Sequence, residues 1–168
     1  KAPAGRDVAT PKNPVHWVGT PAGLRSLVPE LAQELALGLD VETTLDFNTL
    51  CLVQIATKER TYLIDPFAVG SLQPLAAVLS QPVPMKVIHN ARFEERVLAS
   101  VGIDLKGVCD TLVESRRVRG RDVLGGHSLA MVVERELGMM MDKGAQTSNW
   151  SRRPLDAEQL RYAALEER

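Results

Sequence analysis

Apolar residues recur along this chain with two different periods, and the switches between them outline its elements. Ala36-Leu37-Gly38-Leu39 is a short apolar run that ends in the acids of Asp40-Val41-Glu42. Leu50–Ala56 and residues 61–65 are two more runs of strand length, and Lys58-Glu59-Arg60 between them reads as a hairpin turn. His16-Trp17-Val18 and residues 85–89 complete the strand candidates. Elsewhere the helical period takes over. Thr20-Pro21 is a helix start, followed by Leu24, Leu27, Val28 and Leu31 on one stripe. Pro29 lies inside that stripe and predicts a kink or a restart. Residues 71–80, 92–101, 111–119 and 128–137 read as further helices, and 138–154 as loop. Asp156 is placed to cap a last helix. A tight hairpin forces antiparallel pairing while longer crossovers allow parallel strands, so the pattern predicts an α/β domain with a mixed sheet.

Composition narrows the class. Residues 1–14 hold Pro3, Pro11 and Pro14 and little apolar content, which predicts an extended arm ahead of one domain over 15–168. A chain of 168 residues with 45% hydrophobic and 24% charged positions suits a single core and excludes disorder for its bulk. Twenty Lys and Arg against 21 Asp and Glu argue against a non-specific polyanion coat, but leave room for a small site on one nucleic-acid end. Three phenylalanines, two tryptophans and two tyrosines are scattered, so no broad base-stacking platform is expected. No apolar run has the length of a membrane span, and the start lacks a signal-peptide core. Cys51 and Cys109 are far apart and outside any CxxC pattern, which disfavours a disulfide framework or zinc and predicts a reducing, cytoplasmic setting. The oligomeric state is not encoded in any of these features.

Several polar groups carry candidate chemistry, each with a plainer alternative. Asp40 and Glu42, two apart on a strand, share a face. Like charges there are either solvated at an exposed strand end or joined by a divalent cation. All-oxygen ligands select Mg²⁺ or Mn²⁺ over zinc. His89-Asn90-Ala91-Arg92-Phe93-Glu94 follows a strand, where open α/β sheets bind ligands. Taken alone, Glu94 reads equally as an acid at a helix N-terminus, and His89 as a core histidine. Tyr162 and Glu166 are four apart and share a helix face. Arg116, Arg117, Arg119 and Arg121 form the densest basic run, either a phosphate strip or a solvated surface. Arg152 and Arg153, near Trp150, are a second basic candidate.

Taken together, Asp40-Val41-Glu42-Thr43-Thr44, His89-Asn90 with Phe93-Glu94, and Tyr162 with Glu166 resemble the DEDD superfamily of 3′–5′ exonucleases, in its Tyr-containing, ribonuclease D-like branch. Leu52-Val53-Gln54-Ile55-Ala56, Leu63-Ile64-Asp65-Pro66, Cys109-Asp110-Thr111, Gly126-His127-Ser128-Leu129-Ala130 and Leu137-Gly138 extend the match. So do Lys143 and Ser148-Asn149-Trp150-Ser151-Arg152-Arg153-Pro154-Leu155. The resemblance implies a ribonuclease H-like mixed β-sheet flanked by helices. It implies two divalent cations, Mg²⁺ or Mn²⁺, one held by Asp40, Glu42 and Glu166, the other sharing Asp40 with Glu94 behind a water. Tyr162 would orient the attacking water; a phenol with a pKa near 10 is a poor base at neutral pH. The implied reaction is hydrolysis of the terminal phosphodiester of a single-stranded RNA or DNA 3′ end, releasing 5′-mononucleotides. Substrate contacts are implied at Thr43, Phe47, His89, Asn90, Trp150 and Arg153. The chain departs from the family at Glu94 and Glu166, where Asp is usual. One extra methylene moves a carboxylate by about 1 Å, and a shift of that size can cost about a hundredfold in rate. The alternative function is therefore a weakened exonuclease-like domain that binds nucleic-acid ends or serves as a structural, partner-binding module.

Overall fold

The computed structural model describes residues 13–141 and 144–165. Most of the N-terminal arm, Lys143 and the candidate ligand Glu166 lie outside them. Six strands form one sheet: β1 (Val15–Val18), β2 (Ala36–Thr43), β3 (Leu50–Ala56), β4 (Thr61–Ile64), β5 (Met85–Ile88) and β6 (Val108–Asp110), in the order β1-β4-β3-β2-β5-β6. The β2–β3 and β3–β4 pairs are antiparallel, and β1–β4, β2–β5 and β5–β6 are parallel. The hairpin and the crossover read from the sequence both form.

Strand β2 organises the domain. Its burial alternates without a break: Leu37, Leu39, Val41 and Thr43 are buried, while Ala36, Gly38, Asp40 and Glu42 are partly exposed. Leu37, Leu39 and Val41 join Val53, Ile55 and Ile64 in the main core, against helices α1 (Pro21–Leu31) and α4 (Arg92–Ser100) and the short helix α3 (Ala76–Leu79). The opposite face is covered only in part. There Leu52 and Leu63 pack with Trp150, Leu155, Tyr162 and Ala163, the last two from helix α7 (Ala157–Ala163). A bulge between β2 and β3 pairs Glu42 with Leu52 and Thr43 with Leu50, leaving Cys51 as the extra residue. Leu50 and Leu52 consequently serve different cores.

Local chemistry explains most element ends. Thr20 Oγ1 accepts the Gly23 N–H at 3.0 Å and starts α1. The helix runs through Pro29 rather than restarting, because Leu27 and Leu31 on either side are buried and their packing outweighs one lost backbone bond. Residues 71–80 do not form one helix. A short helix α2 (Pro66–Val69), capped by Asp65, ends at Gly70 (φ 76°); a 3-10 turn over Gln73–Leu75 then leads into α3. The leucines of that stretch are still buried, so its inward face was legible and its continuity was not. Asp110 caps α5 (Thr111–Arg119), Ser128 caps α6 (Leu129–Leu137), and Asp156 with Gln159 forms a capping box on α7. Lys86 on β5 is fully buried and donates to the carbonyls of Val78, Gln81 and Pro84, with burial holding its pKa below the usual lysine value. Among the described residues no helix is long and apolar enough to cross a membrane.

Candidate active site

The parallel strands β2, β5 and β6 all end at one edge of the sheet, and the polar residues at or just after their carboxyl ends gather there. They border a groove of about 1800 Å³. Asp40, Glu42 and Thr43 come from the end of β2, and Asp40 lies directly across from Gln54 on β3. Asp40 also accepts the Val41 N–H at 2.8 Å. His89 and Asn90 enter from the end of β5, and Tyr162 from α7.

Phe47 and Phe93 form one rim. Their rings meet edge to face with centroids 5.7 Å apart. Phe47 is 64% exposed although it sits at φ 60°, a left-handed conformation that costs a bulky residue about 1–2 kcal/mol. Its turn is held by polar bonds: Phe47 N–H donates to Thr44 O at 2.8 Å, and Asn48 Nδ2 to Asp46 Oδ2 at 2.9 Å. Hydrogen bonds from Thr44 and Asn48 keep the Asp46 carboxyl below its usual pKa.

A clamp from the neighbouring strand holds the second segment. Asn90 is also left-handed, at φ 64°. Asp110 accepts its N–H at 2.9 Å, the Ala91 N–H at 3.0 Å and the Leu112 N–H at 2.9 Å. Burial pushes the Asp110 carboxyl upward, but these amides outweigh it and its pKa is lowered. Next to it, Thr111 Oγ1 lies 2.9 Å from His89 Nδ1. Burial lowers the His89 pKa, against the opposing pull of a hydrogen bond to the His127 backbone and of the Asp110 charge. The left-handed turn that Asp110 and Thr111 support carries no signal of its own in the sequence.

Three expected positions fall elsewhere or act otherwise. Arg153 does not border the groove. It donates to Asp65 at 3.0 and 2.9 Å and to the carbonyls of Trp150, Arg152 and Cys51 at 2.8, 2.8 and 2.6 Å, and it stacks over Phe67 at 4.7 Å. A guanidinium satisfied this way ties the 145–155 segment to the sheet and has no donors left for a substrate. Trp150 touches the groove but is 1% exposed and packs under α7, its ring 6.0 Å from Tyr162. Glu94 is buried in the first turn of α4 and is not among the groove-lining residues. That placement suits a carboxylate at the positive end of a helix.

Asp40 and Glu42 are hard oxygen donors on one face, which in kind suits a divalent cation such as Mg²⁺ or Mn²⁺. Among the described residues, however, no three Asp, Glu, His or Cys side chains close into a group that could hold an ion. The pair needs further ligands from a residue such as Glu166, from water, or from a substrate phosphate.

The fold and this site define a class. The chain belongs to the 3′–5′ exonuclease family, whose model matches residues 15–166, and its sheet has the ribonuclease H-like architecture of the ribonuclease D exonuclease domains. In sequence it is similar to DNA polymerase I of Aquifex aeolicus, 36% identical over 151 residues, covering 89% of this chain and 25% of that protein. It is also similar to ribonuclease D of Haemophilus influenzae, 31% identical over 159 residues, covering 91% of this chain and 39% of that protein. In structure it is similar to Escherichia coli RNase D, with a TM-score of 0.80 and 27% identity, covering 91% of this chain and 41% of that one. The chain thus spans less than half the length of these relatives.

Proposed function

We propose that this chain is a metal-dependent 3′–5′ exonuclease domain that hydrolyses the terminal phosphodiester of a single-stranded RNA or DNA and releases 5′-mononucleotides. The observation that supports it most is the pairing of Asp40 and Glu42 on the groove face at the end of β2, within a chain of the exonuclease family. In this reading Asp40, Glu42 and Glu166 would hold one divalent cation, and Glu94 would assist a second. Bound cations would supply charge neutralisation at the phosphate and a water of lowered pKa. Tyr162, on the groove wall, holds that water in line through its phenol. Phe47 stacks on the terminal base, and His89 and Asn90 contact the terminal nucleotide. Relatives named for DNA polymerase and for ribonuclease D leave both sugars open.

A second reading, an end-binding module with weak turnover, draws on the burial of Glu94, which is not among the residues lining the groove. The test is incubation of the purified protein with 5′-labelled RNA and DNA oligomers in Mg²⁺ or Mn²⁺. Stepwise shortening that Asp40→Asn abolishes is the expected result. No shortening with either ion rejects the enzyme, and calorimetric titration with Mn²⁺ then separates an end-binding module from a purely structural one.

A further inference from the structure

We propose that Arg116 and Arg121 form a phosphate-binding track for the strand upstream of its 3′ end. The proposal rests on the exonuclease reading for the direction of the strand. Helix α5 starts at Thr111, beside His89. Leu112, Val113, Arg116 and Arg117 line the groove, as one face of a helix should. Gly120, at φ 78°, ends the helix, and Arg121 on the following loop returns to the same groove.

The four arginines of this run are not alike. Arg117 is paired with Glu114 at 2.7 Å. Arg119 lies off the groove and makes two bonds to Glu136, at 3.0 and 2.7 Å. The side chains of Arg116 and Arg121 have no hydrogen-bond or ion-pair partner among the described residues, and both residues border the groove. Arg116 lies about 7.5 Å along the helix axis from Thr111. Two guanidinium groups without carboxylate partners therefore border the same groove as Asp40 and Glu42.

The loop that carries Arg121 is positioned by buried and part-buried polar bonds. His127 is buried; its Nε2–H donates to Gly120 O at 2.9 Å, so its Nδ1 accepts from Ser115 Oγ at 2.8 Å. Arg135 donates to that same Ser115 Oγ at 2.9 Å and to Gly126 O at 3.0 Å. Both ends of the loop are thus fixed to α5 and α6. A phosphodiester backbone is the ligand that matches two separated guanidinium groups on a groove wall, and it is common to RNA and DNA.

The test measures binding of 5′-fluorescein decauridylate and decathymidylate by anisotropy in EDTA, over a range of salt. Each phosphate contact contributes about 0.7 to the slope of log affinity on log salt for a single strand. The double variant Arg116→Ala, Arg121→Ala is expected to lower that slope by about 1.4 and to weaken binding by on the order of tenfold at 0.1 M salt. The affinity gained on lengthening the strand from two to ten nucleotides should shrink with it. Arg119→Ala, which removes an equal charge off the groove, should keep the original slope. An unchanged slope in the double variant, an equal effect from Arg119→Ala, or no binding by the unmodified protein would each overturn the proposal. Because EDTA removes metal-dependent turnover, absence of nuclease activity with this binding intact would reject the enzyme and leave the track standing.

Discussion

Replacing Arg153 with methionine removes a half-buried cation while keeping an apolar stem over Phe67. The Arg153 side chain is 24% exposed and that of its partner Asp65 only 7%. The change leaves the Asp65 carboxylate buried without its counter-charge and strips the Cys51, Trp150 and Arg152 carbonyls of a donor. Breaking a buried pair from one side costs about 3–5 kcal/mol, a large share of the roughly 5–15 kcal/mol that a domain holds. With a urea slope of about 2 kcal/mol per molar, the unfolding midpoint should fall by about 2 M. Urea unfolding at pH 7, followed by circular dichroism, reads this directly. The pH dependence gives a second check. Burial pushes the Asp65 carboxyl upward, but the Arg153 bonds and charge and the Phe67 and Ala68 amides outweigh it, so its pKa is depressed. A depressed carboxylate adds stability above its unfolded pKa, near 3.9, and loses it as pH falls through the folded value. The gap between the two proteins should therefore close below about pH 4. Adding Asp65→Asn should recover part of the loss. A cost under 1 kcal/mol, or a gap that ignores pH, would refute the view that this pair holds the C-terminal segment to the sheet.

Other positions give independent outcomes. Gln54 is fully buried beside Asp40, and neither amide atom has a partner among the described residues, so Gln54→Met should stabilise by about 1–3 kcal/mol in thermal unfolding; destabilisation would mean that a buried water satisfies the amide. Asp110→Ala should cost about 2–4 kcal/mol, since it removes a helix cap and orphans two further amides, and should speed amide exchange at Asn90 and Ala91; unchanged exchange would sink the clamp. Phe47→Gly should leave the melting temperature close to that of the parent, because relief of the left-handed strain offsets the added chain entropy. It should also raise KM for oligomer trimming, and an unaltered KM would remove Phe47 from the substrate contacts.

The floor of the groove was legible because strand geometry is local. Two residues apart on a strand means one face, and β2 keeps its alternation from Ala36 to Thr43. The hairpin, α5 and the Asp156 cap follow from equally local rules. Glu94 was harder: which way a first-turn side chain points depends on how α4 is rotated against the sheet, and packing of Val97 and Leu98 sets that rotation. Arg153 follows Trp150 closely in sequence, but its own partner is Asp65, 88 residues away, and no local pattern announces that pairing. Strand β6 has three residues, too few to show a period, and its pairing with β5 comes from the sheet edge it completes. His89 is half-buried, borders the groove and is bonded to the Thr111 hydroxyl.

The unbroken alternation of β2 also separates two sets of constraints within eight residues. Leu37, Leu39 and Val41 answer to packing volume, whereas Ala36, Gly38, Asp40 and Glu42 answer to whatever occupies the groove. A one-residue insertion before Asp40 would exchange the sets, driving both carboxylates into the leucine core, so this strand tolerates substitution far better than a change of length. Protein engineers gain a practical handle from the same geometry. Ala36 and Gly38 are small residues on the carboxylate side, so enlarging them should alter the groove and spare the face that carries Leu37, Leu39 and Val41.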